Sequence, residues 1–184
     1  MTERLKGEIL RLLKARDRVI IGIDGNAAAG KSTLAAALCD SLDATLIHMD
    51  DYFLPPSLRT QERLSQAGGN IHYERFTDEV ITPIREGRRL SLRRYDCHEG
   101  LLLPARTVEL RPVVIIEGSY ALHPLFSDIY DIKLVLSIDP LKQRKRIEQR
   151  EGREGAQAFF DRWIPLENAY LAELKLPRDK IVTR

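Results

Sequence analysis

The chain is 184 residues long, 43% hydrophobic, with a formal net charge of +2. That length and apolar share predict one domain with a buried core. The near-neutral balance excludes a global nucleic-acid footprint, so no nucleic-acid partner is expected.

Cys39 and Cys97 are the only cysteines. No run is long enough to span a bilayer, and the start of the chain has no apolar signal core. A reduced, cytoplasmic protein without a membrane partner is therefore expected. Of the 29 basic residues 21 are arginine. Forked guanidiniums suit phosphate, and drift in base composition accounts for the bias equally well.

Leu5, Ile9, Leu12 and Leu13 share one face and predict an amphipathic helix over residues 2–16. Residues 19–24 are a short apolar run that reads as a buried strand. They lead into Gly25-Asn26-Ala27-Ala28-Ala29-Gly30-Lys31-Ser32, which fits G-x-x-x-x-G-K-[ST] at every fixed position. Residues 33–42, rich in Ala and Leu, read as the following helix.

Strand, loop and helix together turn the pattern match into a phosphate-loop expectation. Gly25 and Gly30 permit backbone angles that gather N–H groups around one concave spot, and the helix points its positive end there. Lys31 would reach the β- and γ-phosphates, and the Ser32 hydroxyl would ligate Mg²⁺. A dinucleotide site is disfavoured, because Gly22, Gly25 and Gly30 do not make G-x-G-x-x-G.

Residues 44–48 read as a second strand ending in Met49-Asp50-Asp51-Tyr52-Phe53, before Leu54-Pro55-Pro56 breaks regular structure. Residues 57–72 are polar, carry Gly68-Gly69 and show no period, so a functional loop or lid is expected there. Val80, Ile81 and Ile84 predict a helix over 76–86 with Pro83 inside it. Residues 90–96 and 106–110 read as a hairpin joined by 97–105.

Residues 113–116 are a strong buried strand ending in Glu117-Gly118, and 132–138 another, before Asp139-Pro140. A basic helix over 141–150 should break at 151–155, which holds two glycines. A second helix over 156–172 contains Pro165 as a kink or start, and 180–183 is a short last strand. The alternation predicts an α/β, P-loop NTPase fold: a parallel five-stranded sheet with helices on both faces and an inserted β-hairpin.

In open parallel sheets ligands bind beyond the carboxyl ends of the strands. Asp24, Asp50 with Asp51, and Glu117 fall at such ends. Glu117 follows four apolar residues, the Walker B arrangement, and would hold Mg²⁺ directly or through water. Asp50, favoured over Asp51, is the candidate base that takes the proton of an acceptor hydroxyl.

Lys142, Arg144, Lys145, Arg146, Arg150 and Arg153 form a basic run. Most of it should be a solvated helix face, with two or three of Arg146, Arg150 and Arg153 touching phosphate. The four histidines show no metal-ligand spacing. Tyr73, Tyr95, Asp96 and His98 lie in inserted segments and are candidate lining of an acceptor pocket.

These residues resemble the uridine kinase and phosphoribulokinase group of P-loop kinases over nearly the whole chain. The matching features are Gly25 to Thr33, Asp50-x-Tyr52-Phe53, Asn70 to Phe76, Glu86-Gly87, Tyr95-Asp96, Val114 to Gly118 and the basic lid after Asp139. The resemblance implies ATP, with Thr33 included in its loop, and makes Asp50 the base and Glu117 the second magnesium-site acid. It also implies that Tyr52, Tyr95 and Asp96 belong with the acceptor, and that the lid arginines contact both substrates. One departure stands out: uridine kinases read N-F-D-H-P where this chain reads Asn70-Ile71-His72-Tyr73-Glu74.

A single kinase domain over 1–184 is expected, with an acceptor-binding insert at about 54–112 and a lid at about 142–156. The expected function is transfer of the γ-phosphate of Mg-ATP to a hydroxyl of a small metabolite, a nucleoside among the candidates. The alternative is a non-catalytic or regulatory ATP-binding module. A GTPase is disfavoured, since neither N-K-x-D nor a switch D-x-x-G occurs. A homo-oligomer stays open.

Overall fold

The computed structural model describes residues 2–97, 99–174 and 181–183. Helix α1 (Thr2–Leu13) buries Leu5 and Ile9 and stops short of the expected residue 16. Strand β1 (Val19–Gly25) runs into the phosphate loop, and α2 (Lys31–Cys39) begins inside the motif, at its lysine. Gly30 caps α2 at φ +89°, a left-handed conformation that glycine adopts without a Cβ penalty.

Strand β2 (Ala44–His48) ends in a single 3₁₀ turn, Met49–Tyr52. The 57–72 segment, expected as a loop, contains a 3₁₀ turn at Pro56–Leu58 and a short helix α3 (Gln61–Ser65) capped by Thr60. Short helices give no hydrophobic period, which is why the sequence did not announce them.

Helix α4 (Tyr73–Phe76), a π turn at Thr77–Ile81 and α5 (Thr82–Arg85) follow as one rod. The rod explains how Pro83 is tolerated. A mid-helix proline lacks a donor and crowds the preceding turn, and the wider π turn just ahead of it makes room.

Two short antiparallel ladders come next. β3 (Leu90–Leu92) pairs with β6 (Arg106–Val108), and inside them β4 (Tyr95–Asp96) pairs with β5 (Leu101–Leu102).

The core strands β7 (Val113–Glu117) and β8 (Ile132–Ser137) complete a four-stranded parallel sheet in the order β2-β7-β1-β8. β9 (Ile181–Thr183) runs parallel alongside β8; Lys180 of the expected last strand lies outside the described residues. On one face Leu5, Ile9, Leu34 and Leu38 pack against Ile21, Ile23 and Ile115. On the other, Val114 and Ile116 meet Phe76, Val80, Phe126 and Tyr170. Successive residues of β7 thus feed opposite cores, as strand geometry dictates, and all five are buried.

Helix α6 (Pro140–Ala158) is broken within the expected 151–155 by a kink at Gly152, whose φ 73° and ψ 172° lie outside helical geometry. A second π turn at Phe159–Trp163 leads into α7 (Ile164–Glu173), again just ahead of a proline, Pro165. No helix among the described residues is long and apolar enough to cross a membrane.

The register fixes the site. Ile23 of β1 and His48 of β2 both stand level with Glu117 of β7. The phosphate loop, the Asp50 turn and Glu117 therefore leave the sheet together at the carboxyl ends of its strands.

Candidate functional site

The phosphate loop needs its glycines where they stand. Gly25 has φ +127°, and a Cβ there would meet the Leu136 carbonyl oxygen at 2.0 Å. Ala28, at φ 61°, also takes a left-handed angle. Lys31 is nearly buried, and its Nζ donates to the carbonyls of Gly25 (2.7 Å) and Asn26 (3.0 Å), with Ser119 Oγ at 3.4 Å. The ammonium is thereby held across the mouth of the loop.

Beside it the Ser32 hydroxyl donates to Glu117 Oε1 (3.1 Å), and His48 Nδ1 lies 2.6 Å from the same oxygen. Glu117 is only 4% exposed. Its hydrogen bond holds the His48 imidazole above its ordinary value, against the opposing effect of partial burial.

Asp50 projects from the Met49–Tyr52 turn into a cleft of about 990 Å³ that Lys31, Ser32 and Glu117 also line. The carboxylate reaches open space but is walled by protein. That desolvation raises it above the usual carboxylate range, while Lys31 pulls the other way. Asp51 is not among the residues lining the cleft; its backbone carbonyl accepts from Arg75.

The loop is also held from behind by the C-terminal helices. Glu167 accepts from the Ala27 N–H (2.9 Å) and from Ser119 Oγ (2.6 Å). Asn168 Oδ1 accepts from Asn26 Nδ2 (3.0 Å). From α6, Gln143 Nε2 donates to the Ala27 carbonyl and Arg146 Nη1 to the Ala28 carbonyl. Asp24, 1% exposed, accepts from the N–H groups of Gly25, Tyr120 and Leu122 and from the Tyr170 hydroxyl. It is a structural clasp under the loop, and its burial raises its pKa.

Of the residues expected from sequence, Ala27, Ala28, Gly30, Lys31, Ser32 and Thr33 line the cleft. So do Asp50, Glu117, Arg146 and Arg150. Gly25, Asn26 and Ala29 form the loop's inner side, Ala29 fully buried. Arg153 is exposed on α6 and is not among the lining residues.

The tyrosines depart from expectation. Tyr52 is 1% exposed, edge-on to Phe76 at 5.0 Å and under the Arg75 guanidinium, so its ring is core rather than pocket wall. Tyr95 is 4% exposed, on β4. Tyr73 stacks on His123 at 4.4 Å and borders a separate depression. Asp96 is paired with Arg94, and Cys97 next to it reaches the cleft. An aromatic ring beside a strand end is as useful to the core as to a ligand, and the core has taken Tyr52 and Tyr95. His98 lies outside the described residues.

Sequence reasoning missed Ser119, Glu167, Arg59 and Arg162, all of which line the cleft. Their only sequence signal was position: Ser119 just beyond Glu117, the others within segments read as loop or helix.

An ion at Ser32 and Glu117 would find two oxygen donors, the hard ligands magnesium takes. Among the described residues no group of three acidic, histidine or cysteine side chains could hold a metal alone. The donor set therefore fits an ion shared with nucleotide phosphates, the usual magnesium arrangement.

No family model matches the chain. It is 31% identical to the phosphoribulokinase of Synechocystis sp. over 185 aligned positions, 90% of this chain and 54% of that protein. The chain thus spans about half the length of that curated relative. A possible uridine kinase from Bacillus stearothermophilus superposes with a TM-score of 0.67 at 24% identity, over 98% of each chain. A Silicibacter protein assigned provisionally as a fructose transport system kinase superposes at 0.75 and 21% identity, over 100% of this chain and 98% of that one. At such identities the structural likeness shows the fold, which is that of P-loop kinases. The chain is thus similar in sequence to a phosphoribulokinase over about half of that protein, and similar in fold to P-loop kinases.

Proposed function

We propose that the chain is an ATP-dependent kinase that moves the γ-phosphate of Mg-ATP to a hydroxyl of a small molecule. The observation that carries this reading is the convergence of Lys31, the Ser32–Glu117 pair and Asp50 on one cleft. A nucleotide-binding module would need the first three; a carboxylate facing the same space has work only if a second substrate enters.

The loop and the first turn of α2 would hold the β- and γ-phosphates. Lys31 neutralises charge on the moving phosphoryl group, with Arg146 and Arg150 above it in the lid at about 142–156. Ser32 and Glu117 would hold the magnesium ion, which supplies charge neutralisation when bound. The acceptor oxygen forms a bond to the γ-phosphorus as the bond to the β–γ bridging oxygen breaks and ADP departs. The acceptor's proton passes to the Asp50 carboxylate.

The segment at about 54–112 houses the acceptor in this reading. Its Arg59 bonds the Leu54 carbonyl, and Arg162 reaches across to the Leu64 carbonyl. These two guanidiniums in the cleft wall favour an acceptor with a negatively charged group over a neutral nucleoside.

A coupled ADP-release assay with Mg-ATP tests the proposal against nucleosides, pantothenate, phosphorylated sugars and other small alcohols. Acceptor-dependent ADP and a phosphorylated product support it. ATP binding with no acceptor-dependent turnover across the panel supports a binding module instead.

A further inference from the structure

Asp50 sits on a 3₁₀ turn of four residues, Met49–Tyr52. A turn that short cannot hold a carboxylate in place by its own hydrogen bonds. One side chain, Arg75, bonds the turn from outside and joins it to other segments. Arg75 is 6% exposed, and its Nη2 donates to the Asp51 carbonyl at 2.6 Å. Its guanidinium lies over the Tyr52 ring, 4.2 Å from the centroid. Its Nη1 donates to the Arg93 carbonyl and to Glu79 Oε2 (3.3 Å). Glu79, itself 8% exposed, accepts in turn from the Arg93 N–H (3.0 Å) and Arg93 Nε (2.7 Å).

One buried guanidinium therefore ties three separate pieces together: the Asp50 turn, the α4–α5 rod and the junction between β3 and β4. We propose that Arg75 is a positioning residue for Asp50. It fixes the base-bearing turn against the inserted hairpin, so that the carboxylate and the acceptor segment keep one geometry. This rests on the reading of Asp50 as the base.

The planar fork is what the site requires. A buried ion pair with Glu79 alone would be weak evidence of function, since desolvation offsets much of its attraction. Arg75 does more, bridging two backbone carbonyls that belong to different segments. Lysine keeps the charge for Glu79 but, as a single point donor, cannot span both carbonyls in that fixed fork. Catalysis is sensitive to such a loss, because displacement of a reacting group by about 1 Å can cost about a hundredfold in rate.

The test is Arg75→Lys, with Arg75→Gln as a second variant, in the full chain. Acceptor-dependent kcat and the nucleotide KM are measured, together with amide exchange. The informative amides are Leu54, which donates to the Asn70 carbonyl, and His72, which donates to the Tyr52 carbonyl. The expected result for Arg75→Lys is a kcat lower by about tenfold to a hundredfold with the nucleotide KM unchanged within about twofold. Faster exchange should be confined to the turn and its two bonding partners.

A kcat within about twofold of the parent overturns the proposal. So does a loss shared between kcat and KM with exchange accelerated throughout the sheet. Should the parent show no acceptor-dependent turnover, the kinase reading fails, and exchange alone decides here: unchanged protection at Leu54 and His72 in both variants overturns the positioning role.

Discussion

Tyr170→Phe removes a single oxygen from the clasp beneath the phosphate loop. The Asp24 carboxyl, 1% exposed, accepts from Gly25 N (2.6 Å), Tyr120 N (3.0 Å), Leu122 N (2.9 Å) and Tyr170 Oη (2.6 Å). Phenylalanine keeps the ring against Tyr120, whose centroid is 4.9 Å away, and deletes one donor of the four. A hydrogen bond to a charged group contributes about 1.5–3 kcal/mol. In a chain of this size each kcal/mol moves Tm by about 2–4 °C, so a loss of about 3–12 °C is expected.

The pH dependence has a definite sign. Burial raises the Asp24 pKa, and the Tyr170 hydrogen bond lowers it, so the variant's folded pKa lies further above the unfolded one. A carboxyl raised in this way favours folding below its unfolded pKa, and that contribution fades as pH rises through the folded value. The deficit of Tyr170→Phe must therefore grow with pH. Thermal unfolding followed by circular dichroism at about pH 5 and about pH 8 measures it. A Tm equal to the parent's at both pH values, or a deficit that shrinks as pH rises, refutes the clasp.

Three further outcomes follow from the cleft. Asp50→Asn should leave Mg-ATP binding intact and abolish acceptor-dependent turnover. In the parent, burial raises the Asp50 carboxyl, so kcat/KM should climb with pH through a limb above the ordinary aspartate value of about 3.9. A limb at or below that value, or near-full activity of Asp50→Asn, removes Asp50 as the base. Lys31→Ala should lower kcat by about a hundredfold to a thousandfold, as loss of a preorganised charge contact does; steady-state rates with saturating acceptor read it. Glu117→Gln should raise the magnesium needed for half-maximal rate by about tenfold to a hundredfold, and an unchanged magnesium titration would place the ion elsewhere.

What the sequence showed and what it hid divide along a physical line. The phosphate loop was legible because its chemistry is local: a strand, fixed glycines and a helix start within sixteen residues of one another. Glu117 was legible because a run of buried residues ends at a charge. The C-terminal clasp was not. Glu167 and Ala27 are 140 residues apart in sequence, and nothing in the pattern of α7 distinguishes a glutamate that folds back onto the loop from one facing solvent. Tyr52 misled for the opposite reason. Its place in a motif suggested a ligand contact, whereas the ring is buried edge-on to Phe76 and beneath the Arg75 guanidinium. The helix break expected at 151–155 is made by one of its two glycines: Gly152 leaves helical geometry and kinks α6, while Gly155 stays helical.

The two π turns connect fold to function. Each precedes a proline, Pro83 or Pro165, and each relieves the clash that a proline imposes on the turn before it. Beyond the second, Glu167, Asn168 and Tyr170 all reach the loop and the end of β1. The loop's outward-facing groups are consequently held by side chains from α6 and α7 before any nucleotide arrives. The N–H groups of the first turn of α2, which have no partner within their own helix, are left for phosphate. A site ordered in advance loses less conformational freedom on binding. In the proposed reading α7 would act on affinity through the loop backbone that Glu167 and Asn168 hold.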